Sequence, residues 1–226
     1  MKRVMKRIIA KPVCLIAGGP GISFSKLRIL FRKVFKVYGL VSPKIAYIGA
    51  ASADNPRFFK WLKDMLIGAG ARDVVLVPVV RTRTDFGQTK DVLCDVDVVF
   101  ISGGDVEKGM QLLKARRLVP VLKKLFAKGV PFFGLSAGSI MLSKSWVKWS
   151  DSDDDSTAER FPCLGFAPVF CDTHGEDEDW EELRVLLKLA KRTAVGYGIT
   201  TSAGLIVMSE SRVKAFGGPV HRLKIN

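Results

Sequence analysis

Histidine and cysteine are scarce in this 226-residue sequence: two histidines, His174 and His221, and four cysteines, Cys14, Cys94, Cys163 and Cys171, none in a CxxC pair. That scarcity excludes a zinc knuckle or a disulfide framework and implies neither a metal nor an organic cofactor. The thiols read as free and buried. No apolar run approaches the roughly 20 residues needed to span a bilayer. The start, MKRVMKRIIAKPVCLIAGG, is basic but lacks a long apolar region and a small-residue cleavage site. A cytoplasmic protein with no membrane partner is expected. Internal repeats and linkers are also missing, so residues 1–226 are read as a single domain.

Positive charge is abundant, with 36 Lys and Arg against 22 Asp and Glu and a formal net charge of +14. Such a balance can accompany nucleic acid, anionic membrane or acidic substrate. No zinc-finger spacing, RNP-like aromatic run or Arg-rich repeat goes with it, so nucleic acid is not the expected partner. The segment FSKLRILFRKVFKVYGL sets Phe24, Leu27, Leu30, Phe31, Val34, Phe35 and Tyr38 at helical spacing with basic residues between them. It reads as a surface helix with its apolar stripe on the core. One acidic run, SDSDDDSTAER at 150–160, stands against the basic background and reads as a solvated loop.

Short, almost wholly apolar runs at 13–19, 44–50, 74–79, 97–104 and 130–135 read as buried strands. Helical patterns at 24–38, 55–68 and 106–128 lie between most of them, the last broken near Pro120. This order predicts an α/β fold with a mainly parallel sheet and helices on both faces. Beyond residue 160 a strand at 164–172, a helix from about Glu178 and successive strands with turns at 209–211 and 217–219 are expected. Ligands of such sheets bind beyond the carboxyl ends of the strands, where the glycines of this chain gather: Gly18, Gly19, Gly49, Gly103, Gly104 and Gly134.

At one such end stands VPFFGLSAGSIMLSKS, a Gly-x-Ser-x-Gly turn between two apolar segments. It reads either as a tight turn in which Ser136 is incidental or as a nucleophile elbow. An elbow serine needs a base, and His174, past a strand at the same sheet edge, is favoured over His221. The oxyanion needs two N–H donors: Ala137 offers one, and the SGGD turn offers Gly104 or Asp105 as the other.

ISGGDVEKGMQLL, GLSAGSIML and a strand ending in His174 together resemble peptidase family S51, which includes peptidase E and cyanophycinase, over residues 13–208. The resemblance implies a fold similar to class I glutamine amidotransferases, a three-layer sandwich with serine in place of the cysteine. It implies Ser136 as nucleophile, His174 as base, and Gly104, Asp105 and Ala137 as the oxyanion hole. Asp105 departs from the asparagine of many members. So does GITTSAGLIV, where Thr200 and Thr201 replace the acidic residues of a GIDENTALVV-like motif. Spacing as in peptidase E puts the third member of the triad at Asp151, with Asp153, Asp154 and Glu176 as alternates. The expected activity is amide hydrolysis in a small peptide through an acyl-enzyme.

Three other readings stay open. An esterase of the α/β-hydrolase type would use Asp172 and His221. A binding protein with a decayed site would explain the missing strand glutamate. A nucleic-acid binder would use the net charge. A homodimer is compatible with the sequence.

Overall fold

The computed structural model describes residues 11–19, 21–80, 91–151, 154–190 and 193–225. Asp153, one of the alternate acids, lies outside the described residues. The five expected strands form the parallel centre of a seven-stranded sheet: β1 (Val13–Ile16), β2 (Lys44–Ile48), β3 (Asp73–Val77), β4 (Val98–Ile101) and β5 (Phe132–Leu135). Their spatial order is β3-β2-β4-β5-β1, every neighbouring pair parallel. β10 (Gly204–Val207) then pairs antiparallel with β1, and β11 (Val213–Phe216) with β10.

Both faces of this sheet are covered, which explains the unbroken apolar runs. Along β1, Val13 and Leu15 join the core beneath α3 (Val106–Ala115), α4 (Leu118–Ala127) and α5 (Ala137–Leu142). Cys14 and Ile16 point the other way, to α1 (Phe24–Tyr38) and α2 (Pro56–Gly68). The stripe expected on α1 is buried from Leu27 to Tyr38, whereas Phe24 is 58% exposed and packs on Trp61.

Four expectations are corrected. The helical stretch at 106–128 breaks at Arg116 and Arg117, the latter left-handed at φ 52°, and not at Pro120. Pro120 sits in the first turn of α4, where its missing N–H has no carbonyl to reach. In its described residues the acidic run is an exposed connection as expected, but it joins an unforeseen hairpin, β6 (Ser145–Trp149) with β7 (Ala158–Pro162), and its last three residues belong to β7. The strand foreseen at 164–172 is β8 (Phe170–Thr173), and its helix, α6 (Glu181–Leu189), follows a 3-10 turn at Glu176–Glu178. Of the thiols, Cys14 and Cys171 are buried, but Cys94 is exposed and Cys163 only partly covered. β8 pairs parallel with β9 (Val195–Ile199), which takes β12 (Val220–Lys224) on its other side.

Candidate active site

The elbow is built where β5 turns into α5. Ser136 has φ 53° and ψ −124°, a conformation that L-residues adopt only under constraint from their surroundings. The constraint is visible: Ser136 N–H donates to the Ile16 carbonyl at 2.8 Å, and the Ser139 hydroxyl both donates to that carbonyl (2.9 Å) and accepts from Ile16 N–H (2.8 Å). The end of β1 is thereby clamped to the start of α5. A Cβ at Gly138 would lie 2.1 Å from the Ile101 carbonyl oxygen, so the helix can cross the end of β4 this closely only with glycine there.

β8 delivers the partner. His174 follows it at φ 47°, its N–H donating to the Ile199 carbonyl at 2.9 Å. Its Nε2 lies 2.8 Å from Ser136 Oγ, within hydrogen-bond reach. His221 is elsewhere, on β12, with its ring 5.8 Å from that of Trp180. The hydroxyl is thus paired with His174 and not with the histidine that an esterase reading would need.

The SGGD turn brings Gly104 to the same cavity as Ser136 and Ala137. Gly104 has φ 140°, and a Cβ there would fall 2.1 Å from the Ala51 carbonyl oxygen. The Asp105 N–H, expected among the oxyanion donors, donates instead to that Ala51 carbonyl at 2.8 Å. Its side chain caps α3 by accepting from Lys108 N–H.

The carboxylates are distributed differently from the sequence expectation. Asp151 is at the exposed turn of the β6–β7 hairpin, its backbone N–H donating to Thr157 Oγ1 and its carbonyl accepting from that hydroxyl. Asp154 caps the following 3-10 turn. Neither lines the cavity that holds Ser136 and His174. Glu176 is placed two residues past His174, and its Oε1 accepts from Thr201 N–H at 2.9 Å. Burial works to raise its carboxyl, but the Thr201 and Glu176 backbone N–H groups, the Thr201 side chain and the charge of His174 outweigh it and hold the group below the usual range. The Thr201 backbone therefore receives a carboxylate from the neighbouring turn.

Asp172, Glu178 and Glu182 also line the cavity, from β8, the 3-10 turn and α6, a convergence that no sequence spacing announces. Asp172 is pushed up to about 7, first by burial and then by Glu182, with Glu178 and Glu176 adding to it against the Thr173 backbone N–H. Burial also raises Glu182, opposed by the Trp146 indole, whose Nε1–H donates to its Oε2 at 2.7 Å.

An elbow serine within hydrogen-bond reach of a histidine beyond the carboxyl edge of a parallel sheet is a nucleophile set beside a base. The model of peptidase family S51 matches residues 13–215, and the chain belongs to that family of peptidases. No curated protein matches the sequence significantly. Among solved structures, a peptidase from an acI-B1 actinobacterium is similar at 16% identity, covering 97% of this chain and 96% of its own, with a TM-score of 0.74. A peptidase E candidate from Listeria monocytogenes EGD-e is similar at 15% identity, 96% and 99% coverage and a TM-score of 0.62. Both share the fold. No helix among the described residues is long and apolar enough to cross a membrane.

Proposed function

We propose that the chain is a serine-type peptidase that hydrolyses an amide bond in a small, dipeptide-sized substrate through an acyl-enzyme, acting in the cytoplasm. The observation that carries this reading is the 2.8 Å contact between Ser136 Oγ and His174 Nε2 at a left-handed elbow. The Ser136 proton passes to His174 Nε2 as Oγ attacks the scissile carbonyl, with the ring bearing its other proton on Nδ1. The N–H groups of Gly104 and Ala137 face the oxygen that becomes negative; each such donor contributes about 3–4 kcal/mol in comparable sites. Collapse of the intermediate expels the amine, which takes the proton from His174. Water then gives a proton to His174, attacks the acyl carbon and releases the carboxylic acid with Ser136 restored.

Glu176 is the positioning residue of this reading, because its charge reaches His174 and Thr201 N–H fixes its carboxylate. Asp151, favoured by spacing, is the competing assignment. The test is a fluorophosphonate probe together with a dipeptide-library screen on wild type and Ser136→Ala. Labelling at Ser136 and hydrolysis abolished in the variant are expected. An unlabelled, inactive wild type would sink the proposal.

A further inference from the structure

Ser136 and His174 lie between two cavities of opposite chemistry. The larger, about 540 Å³, is walled by Asp105, Glu107, Asp172, Glu178 and Glu182, and among the described residues no lysine or arginine lines it. Asp105 and Glu107 are answered by Lys108 at 3.2 Å and Lys148 at 3.7 Å. The other three have no cationic partner among the described residues. Asp172 is only 8% exposed; its Oδ1 accepts from Thr173 N–H at 2.7 Å, and its Oδ2 has no hydrogen bond to a described residue. The smaller cavity, about 230 Å³, is walled by Ile22, Leu27, Phe58, Trp61 and Leu135, and shares Gly104, Ser136 and His174 with the first.

We infer that the substrate is a small peptide carrying a positively charged group, ammonium or guanidinium, on one side of the scissile bond and an apolar side chain on the other. The inference rests on the serine-peptidase reading for the position of that bond: a carbonyl held at Ser136 sends its two flanking residues into the two cavities. A cation in the larger cavity finds three carboxylates with no countercharge. An acidic substrate there would place like charges together in a partly desolvated site, which selects against it. The described residues include no group of three metal-ligating side chains arranged to hold an ion. Phe58 and Trp61, stacked at 5.7 Å, offer the other residue a flat apolar surface.

Calorimetric titration of Ser136→Ala, which cannot turn over, tests this with Lys-Phe, Nle-Phe, Glu-Phe, acetyl-Lys-Phe and acetyl-Nle-Phe, and with the same set in reversed order. In one order, peptides bearing a cation should bind at least tenfold tighter than acetyl-Nle-Phe, which has none, and Glu-Phe should bind weakest of the free dipeptides. Comparing acetyl-Lys-Phe with Nle-Phe tells whether the side chain or the terminal ammonium is held. The preference should drop below threefold when Glu178→Gln and Glu182→Gln are added. Glu178 is exposed, so Glu178→Gln alone should fold and still reduce it. Replacing Phe by Ser should weaken binding at least fivefold, a difference that Trp61→Ala removes. Equal binding of charged and uncharged peptides, tighter binding of Glu-Phe, an unchanged preference in the Gln variants or no binding by any peptide would overturn the inference. Binding in the expected pattern without hydrolysis by wild type would overturn the mechanism and leave the specificity standing.

Discussion

Bringing Ser136 Oγ to His174 Nε2 requires two non-glycine residues at positive φ, 53° and 47°. Each such residue costs on the order of 1–3 kcal/mol, so both persist only because Ile16, Ser139 and Ile199 hold the backbone around them. The carboxylate is the residue whose role a substitution can decide. Glu176→Gln should lower kcat by roughly two to four orders of magnitude, since a comparable amide substitution in a serine triad costs about 10⁴-fold. It should also change the pH dependence of kcat, which a purely structural role would leave alone. Asp151→Asn and Asp154→Asn should change kcat by less than tenfold. A collapse for Asp151→Asn with a mild effect at Glu176 would reverse the assignment. Asp172 carries a separate prediction. Its carboxyl is raised to about 7 by burial and by Glu182, Glu178 and Glu176, against an unfolded value near 4. Between those values the folded chain holds the proton more tightly, so this group's contribution to stability falls as pH rises and its full penalty is present above pH 7. Each pKa unit corresponds to about 1.4 kcal/mol and each kcal/mol to roughly 2–4 °C in a chain of this size. Asp172→Asn should therefore melt several degrees higher than wild type at pH 8 and level with it near pH 4. A lower melting point at pH 8 would show that the carboxylate is held by a cation.

At the scale of elements, the sheet was readable because its strands are covered on both sides and their sequences carry little polar interruption. VCLI, KIAYI and VVFI announce themselves, and the glycines that end them mark the edge where Ser136 and His174 meet. The hairpin β6–β7 was not readable: β7, AERFP, buries only Phe161, so its pattern is that of an exposed segment following a charge run. The carboxylates around His174 were hidden for a related reason. Asp172, Glu176, Glu178 and Glu182 gather from a strand, a turn and a helix, and only the pairing of β8 with β9 sets Glu176 against Thr201. The elbow makes an element-level prediction. In Gly138→Ala the new methyl meets the Ile101 and Ser102 carbonyl oxygens at 2.1 and 2.7 Å, both backbone atoms that cannot swing aside. Overpacking of this kind costs at least about 1–3 kcal/mol. The variant should melt several degrees lower, and because relief requires α5 to move off β4, hydrolysis should be lost as well. Wild-type stability in a thermal melt would mean that the elbow has slack that its contacts do not reveal.

For the whole molecule, charge and cleft have opposite signs: the sequence carries a formal net charge of +14, while the larger cavity beside Ser136 is walled by carboxylates. The basic surface is therefore no guide to what the site binds. The thiols offer a way to watch the fold and the site together, because they sample both sides of the sheet. Cys14 lies in the core under α1 and α2, Cys171 in the core under α5, Cys163 is partly covered and Cys94 is exposed. Burial pushes Cys14 and Cys163 up to about 12 and Cys171 higher still, so in the native state their reactive thiolates are scarce at pH 8. Ellman's reagent should then modify Cys94 quickly and the other three only through opening of the fold, with all four reacting at once in denaturant. A ligand that binds only the native state deepens it by RT ln(1 + [L]/Kd), about 2.7 kcal/mol at a hundredfold excess over Kd. Saturating Ser136→Ala with a cationic dipeptide such as Lys-Phe should slow modification of Cys14 and Cys171 together, up to roughly a hundredfold, while leaving Cys94 unchanged. Slowing of Cys171 alone would mean that β8 opens independently of the main sheet, and fast modification of Cys14 or Cys171 without ligand would mean that its core is looser than its burial indicates.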